Sequence, residues 1–350
     1  MNTQYITWDR ECGYQGKELA RAAEILRRGG LVAFPTETVY GLGGNGLLAS
    51  AAEKIYAAKG RPSDNPLILH ISSQEELFPL VREVSDTGKR LMEAFWPGPM
   101  TLIFEKTDRV PLETTGGLDT VAIRMPEHPG ARELIACAGV PVAAPSANIS
   151  GRPSPTSAEH VREDLDGRID LIIDGGNVGI GLESTIIDLT ETVPVILRPG
   201  AVTSAMIAEV IGEVRLDAGL AGKDSLEPPK APGMKYRHYA PEAAMTIIEG
   251  EMETVIERIN QLAGDYPADK VGILAAEETK ERYPHGQVVT VGSRTAGTIG
   301  KGLYRALRTF DHLGVEVIFS ETFSGERDSE AIMNRLKKAA GYHVEILPGK

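Results

Sequence analysis

Four stretches of this 350-residue chain put charged and polar side chains where apolar strands end and packing gives no reason for them. The first is Pro35-Thr36-Glu37-Thr38-Val39-Tyr40-Gly41. The second is Lys59-Gly60-Arg61-Pro62-Ser63-Asp64-Asn65-Pro66-Leu67, which runs on to His70. The third is Arg124, after Val121-Ala122-Ile123. The fourth is Ala144-Pro145-Ser146-Ala147-Asn148-Ile149-Ser150-Gly151, with Ser154 just beyond. Behind them stand Glu183-Ser184-Thr185 and Leu197-Arg198-Pro199-Gly200. Open α/β sheets bind ligands beyond their strand ends, so loops of this kind can converge. Lys59, Arg61, Arg124 and Arg198 would then make a cationic cavity suited to a polyphosphate or a carboxylate. Arginine grips two oxygens at once, whereas lysine acts as a point charge.

Each residue also has a plainer reading. Lys59 and Arg61 could neutralise the negative end of the preceding helix. His70 could be a satisfied strand histidine, and Arg124 and Arg198 surface charges at strand ends. Ser146 and Asn148 could be turn residues bonding local backbone. The argument lies in the set. Standard nucleotide signatures are weaker still. Gly41-Leu42-Gly43-Gly44-Asn45-Gly46 spells G-x-G-x-x-G between a strand and a helix, but the acidic partner expected about 20 residues on would be Asp64, which sits in a loop. The nearest phosphate-loop pattern, Gly297 to Gly302, lacks the spacing and lies within a predicted helix.

The elements that must carry these loops alternate between short strands and helices. Residues 18–28 have an amphipathic helical pattern and stop at Gly29-Gly30. Residues 31–34 read as a buried strand, and 50–59 as a helix capped by Ser50. Further strands are expected at 67–71, 100–105, 120–124, 140–144, 171–174, 184–188 and 195–198, with a helix from about Glu75. This makes residues 1–216 an α/β domain. Residues 217–242 hold Pro228, Pro229, Pro232 and Pro241 and read as an extended linker. It also gathers Lys230, Lys235, Tyr236, Arg237, His238 and Tyr239. Residues 243–350 restart the alternation as a smaller Rossmann-like α/β domain.

A formal net charge of −12 argues against a surface that coats nucleic acid or anionic membrane, though not against a local basic pocket. Two cysteines, Cys12 and Cys137, stand in no metal-ligand or redox spacing. The first residues carry no apolar signal region, and no apolar run reaches membrane-spanning length. The expectation is a cytoplasmic protein with no membrane partner.

The segments FPTETVYGLG, KGRPSDNPL, WPGPMT, VAIRMP, PVAAPSANISGRPSPT, ESTIID and ILRPGA resemble the YrdC-like domain of the threonylcarbamoyl-AMP synthase family, in order across nearly all of residues 15–205. APGMKYRHYAP and the α/β segment after it are similar to the family's long form, which has a C-terminal extension domain. The resemblance implies a twisted mixed sheet with surrounding helices and an open concave cavity. It also implies conversion of L-threonine, bicarbonate and ATP to threonylcarbamoyl-adenylate, diphosphate and water, for the t6A37 modification of tRNA. The family's K-x-R…S-x-N signature corresponds to Lys59, Arg61, Ser146 and Asn148. On that resemblance Lys59 and Arg61 are catalytic, and threonine is held by Thr38, His70, Arg124, the Ala144 backbone and Ser184. ATP is held by Arg61, Asn65, Thr120, Ser146, Asn148, Ser154, Arg198 and the linker's Tyr236. Mg2+ accompanies ATP with no protein ligand assigned. A tRNA threonylcarbamoyl transferase takes the product, and direct RNA contact is left open.

Competing readings come from other classes. A double-stranded RNA-binding or ribosome-associated module would use the same concavity, against the acidic net charge. A carbamoyl transferase of the hydrogenase-maturation type would carry acylphosphatase and zinc-finger regions, and nothing here resembles either. An NAD-dependent enzyme rests on the glycine pattern alone.

Overall fold

The glycine-rich stretch after Phe34 is a strand. Tyr40–Asn45 is extended and buried along its whole length, and it pairs antiparallel with Val32–Pro35 through Val32↔Gly43 and Phe34↔Gly41. A Cβ on Gly43 would stand 2.8 Å from Phe34 Cε1 and 2.9 Å from Val142 Cγ1, and one on Gly46 would run into Leu69 Cδ2. The glycines are there because neighbouring side chains fill the space a larger residue would need. None of Gly41, Gly43, Gly44 and Gly46 has a positive φ. The glycine pattern suggests a backbone turn at Tyr40-Gly41-Leu42-Gly43, and the structure corrects it to extended strand. The dinucleotide reading loses its loop with it.

The computed structural model describes residues 2–8, 16–221, 229–232, 234, 239–294, 297–323 and 329–348. The chain divides into two units, residues 1–150 with 154–235, and residues 151–153 with 236–350. Among the described residues the first unit carries an eleven-stranded mixed sheet. Its order is Gln4–Thr7, Leu171–Asp174, Val32–Pro35, Tyr40–Asn45, Val142–Ala143, Ile68–His70, Thr120–Arg124, Met100–Glu105, Thr185–Asp188, Val195–Arg198 and Arg215–Leu216.

Strand alternation sorts this sheet into two faces. Leu69, Leu102, Phe104, Val121, Ile123 and Ile187 enter the main apolar core. Their neighbours Ile68, Ile103, Ala122 and Ile186 point the other way, into a smaller cluster with Leu197, Ala231 and the half-buried Met234. Two-residue periodicity therefore puts His70, Thr101, Arg124 and Ser184 on that second face. The helices Lys17–Arg27 and Pro129–Ala138 close another part of the sheet through Leu19, Ala22, Leu26, Leu134 and Ile135.

Two local expectations differ from what is found. The helix Ala49–Lys59 begins one residue before Ser50, after Leu48, with no side-chain cap; Asn45 Oδ1 instead accepts from Leu47 N at 3.0 Å. The helix expected from Glu75 is one 3-10 turn, Gln74–Glu76, because Pro79 follows too closely for a helix to continue. The helix of that region is Asp86–Phe95, capped by Ser85 through Gly88 N.

The second unit's described strands form a parallel sheet in the order Gln287–Thr290, Val271–Ala275, Val317–Ser320, Ala244–Glu249 and Val344–Ile346. Helices Met252–Ala263, Ile299–Leu313 and Ser329–Ala339 connect them, as a Rossmann-like unit requires. Among the described residues no helix is long and apolar enough to cross a membrane. Cys137 is a free thiol; Cys12 lies outside the described residues.

Candidate active site

Arg124 ends its strand with its side chain almost wholly buried, and its guanidinium is fixed on three sides. Nε donates to Gly98 O at 3.2 Å, Nη1 to Thr38 Oγ1 at 2.9 Å, and Nη2 to Glu37 Oε1. The Thr36 hydroxyl donates to Val39 O at 2.7 Å, so the hydrogen between Thr36 Oγ1 and Thr38 Oγ1, 2.8 Å apart, belongs to Thr38. Thr38 thus donates to Thr36 and accepts from Arg124. The 37–38 backbone is held in turn by Ile180 N and Gly181 N, which donate to Glu37 O and Thr38 O.

Strand register brings the rest of the amino-acid set alongside. His70 pairs with Arg124 across a parallel ladder, and Thr101 pairs with Arg124 across an antiparallel one. Thr101 Oγ1 lies 2.7 Å from Ser184 Oγ. Arg198 then donates from Nε to Ser184 O at 3.0 Å, from Nη2 to Ser184 Oγ at 3.1 Å and from Nη1 to Pro232 O at 3.3 Å. Gly200 lets the chain come this close, since a Cβ there would stand 2.8 Å from Glu183 O. Ala144 N donates to Ile68 O at 2.9 Å, so any ligand contact from the Ala144 backbone falls to its carbonyl.

Burial sets the charge state of His70. Desolvation first, then the Arg124 charge, push its pKa down from 6.5 to about 3, against smaller upward pulls from backbone carbonyls and Glu37. Nδ1 lies 3.2 Å from Ile68 O. The ring is neutral at ordinary pH and can take part only as a hydrogen-bonding group. For Glu37, burial acts to raise the pKa, but the Arg124 charge and hydrogen bond outweigh it and hold the carboxyl below its ordinary value.

The K-x-R…S-x-N residues form a second group. Lys59 is the last residue of its helix, and Gly60 follows in the left-handed conformation at φ 61. The buried Lys59 ammonium donates to the carbonyls of Ser146 and Asn148, so it ties down the 146–148 loop rather than neutralising its own helix end. That loop also lies against the Tyr40 strand, with Leu42 N donating to Pro145 O and Ala147 N to Tyr40 O, each at 2.8 Å. Arg61 Nη2 donates to Asn65 Oδ1 at 2.7 Å and Pro66 O at 2.9 Å. Thr120 begins the strand that Arg124 ends, about 13 Å along it. Ser154 is fully buried and donates to Glu183 Oε1 at 2.5 Å. Tyr236 lies outside the described residues.

Sequence reading passed over three residues that this geometry makes prominent: Glu37, Thr101 and Glu183. Glu37 and Glu183 stood inside the quoted motifs, so a charged residue next to an assigned one was the available signal. Thr101 had none. Among the described residues, no group of three or more His, Cys, Asp or Glu could hold a metal ion.

Thr38, His70, Thr101, Arg124, Ser184 and Arg198 are thus linked by hydrogen bonds and strand register beside one mixed sheet, which makes the chain an α/β protein with a polar, cation-bearing face. Comparison with known proteins is specific. Residues 24–200 match the Sua5–YciO–YrdC family model, described as telomere recombination, and residues 202–341 match the model for the C-terminal domain of threonylcarbamoyl-AMP synthase. Threonylcarbamoyl-AMP synthase of Pyrococcus abyssi is 50% identical over 325 residues, 92% of this chain and 94% of that protein. The Bacillus subtilis protein of the same name is 50% identical over 331 residues, 93% of this chain and 94% of its own length. The crystal structure of Pyrococcus abyssi Sua5 complexed with L-threonine is similar over 99% of this chain and 100% of that one, with a TM-score of 0.91 and 46% identity. The chain belongs to the Sua5–YciO–YrdC family, in its two-domain threonylcarbamoyl-AMP synthase form.

Proposed function

We propose that this chain is an L-threonylcarbamoyladenylate synthase, a nucleotidyltransferase that joins L-threonine, bicarbonate and ATP into threonylcarbamoyl-AMP, with release of diphosphate and water. The observation that carries the reading is the meeting of Thr38, His70, Arg124, Ser184 and Arg198 on one sheet face. Arg124 offers a donor fork for the threonine carboxylate. The amine must lose a proton before it adds to CO2, and a carbamate oxygen then attacks the α-phosphorus of ATP. Bringing a polyanion and a carbamate together costs repulsion in water; fixed cations in a closed site offset it and hold the attack in line. In this reading Lys59 and Arg61 stabilise phosphate charge, and Asn65, Thr120, Ser146, Asn148, Ser154, Arg198 and Tyr236 hold the nucleotide.

Magnesium fits the oxygen chemistry near the nucleotide residues, because one carboxylate plus phosphate oxygens is an ordinary set for that ion. Glu183, bonded to Ser154, would supply the carboxylate. The ion would neutralise charge on the departing diphosphate. The product is a reactive mixed anhydride, so a transferase acting on tRNA is the class of enzyme that must take it, in the cytoplasm. The test is threonine- and bicarbonate-dependent diphosphate release from ATP in wild type and Arg61→Ala. Wild-type release that needs both co-substrates and falls at least tenfold in the variant supports the reading. Equal release by the two proteins would sink it.

A further inference from the structure

We infer that Glu37 is a specificity-determining and positioning residue: it makes the Arg124 end of the site electroneutral, so that it accepts an amino acid as a zwitterion and rejects a plain carboxylate anion. The inference rests on the functional reading above in taking Arg124 as the seat of the substrate carboxylate.

A buried arginine alone presents one uncompensated positive charge and would take any small carboxylate. Here the Arg124 and Glu37 side chains are 5% and 11% exposed, and they form a direct ion pair. Their summed charge is zero, which matches the summed charge of threonine as it arrives from solution. The pair also fixes orientation. Glu37, Thr38 and Gly98 take one N–H each from Nη2, Nη1 and Nε. Guanidinium has five, so each terminal nitrogen has one more N–H to offer an incoming carboxylate. Glu37 is in turn approached by His128 N at 3.4 Å, and it lines a cavity of about 350 Å³ with Thr36, Glu127, His128 and Asn177. Of the ion pair, Glu37 is the member that lines this cavity. An ammonium group seated beside the pair meets a negative oxygen; an anion without an amine meets repulsion.

The test uses 3-hydroxybutyrate, which is threonine without its amine, as a competitor. Threonine and 3-hydroxybutyrate affinities are measured by calorimetry on the full-length wild type, Glu37→Gln and Glu37→Asp. Wild type is expected to bind threonine at least about tenfold more tightly than 3-hydroxybutyrate. In Glu37→Gln the amide oxygen still accepts from Arg124 but the negative charge is gone. Threonine should then weaken about tenfold while 3-hydroxybutyrate tightens. Glu37→Asp keeps the charge and should keep the wild-type preference. The KM for ATP should not move in either variant. Weakening of both ligands together in Glu37→Gln would mean a merely structural role and overturns the inference alone. If Glu37→Gln does not fold, the wild-type pair of ligands decides, and equal affinities overturn it. Failure of the wild type to bind threonine overturns the functional reading as well.

Discussion

Acid should weaken the folded protein through His70 in a way that can be isolated. The imidazole is buried beside Arg124, and desolvation followed by that charge lowers its pKa from 6.5 to about 3. Between those values the unfolded chain binds a proton that the folded chain refuses, so stability falls as pH falls. The contribution is fully present above 6.5 and is lost progressively below it, at up to about 1.4 kcal/mol per pH unit. From pH 7 to pH 5 the loss assigned to this ring is about 2 kcal/mol. The assay is urea unfolding at both pH values for wild type and His70→Gln, which retains an amide donor for Ile68 O but has no titrating group. Carboxylates such as Glu37 contribute the same slope to both proteins, so the difference between them reports His70. Wild type should lose about 2 kcal/mol more than the variant over that interval. Equal losses, or a His70 pKa near 6.5 by NMR titration, would refute the reasoning. The same neutrality predicts that kcat/KM for threonine shows no inflection from His70 near pH 6.5.

Three further outcomes follow from particular contacts. Gly46→Ala should destabilise the first unit by about 1–3 kcal/mol in thermal unfolding, because its methyl runs into Leu69 Cδ2 and approaches Pro141 O at 2.9 Å; an unchanged melting temperature would restore the open-loop reading of the glycine run. Lys59→Met removes the ammonium that holds Ser146 O and Asn148 O, and should lower diphosphate release about a hundredfold or more with far-UV circular dichroism unchanged; full activity would take Lys59 out of the mechanism. Threonine and serine differ by one methyl, so their kcat/KM ratio should lie at about 10–200, with measurable serine turnover. A ratio near one would argue against a dedicated threonine pocket.

Strand ends carried most of the legible signal. A run such as Val121-Ala122-Ile123 followed by Arg124 reads as a buried apolar strand ending in a charge, and the structure sends Val121 and Ile123 to one face and Ala122 to the other. The strand Tyr40–Asn45 escaped because it has neither β-branched residues nor alternation. Its identity comes from Phe34, Val142 and Leu69 on its neighbours, which sequence does not place beside it. The helix Pro129–Ala138 escaped for a local reason. Its cap is His128, whose Nδ1 accepts from Ala131 N at 3.2 Å, in place of a serine, threonine or acid amide. Thr101 was invisible for a third reason. It looks like an ordinary strand residue until the register sets it between Arg124 and Ser184.

The cations of the candidate site have acceptors of more than one kind. Arg124 is bonded to the Glu37 carboxylate, which offsets its charge. The bonds of Lys59, Arg61 and Arg198 include ones to uncharged oxygens: Ser146 O and Asn148 O for the lysine, Asn65 Oδ1 and Pro66 O for Arg61, and Ser184 and Pro232 O for Arg198. Bonds of that kind orient a cation without cancelling its charge. Those oxygens come from the segments at 65–66, 146–148, 184 and 232. A substitution that swaps one of these neutral acceptors for an acid would leave the geometry nearly intact while removing the charge.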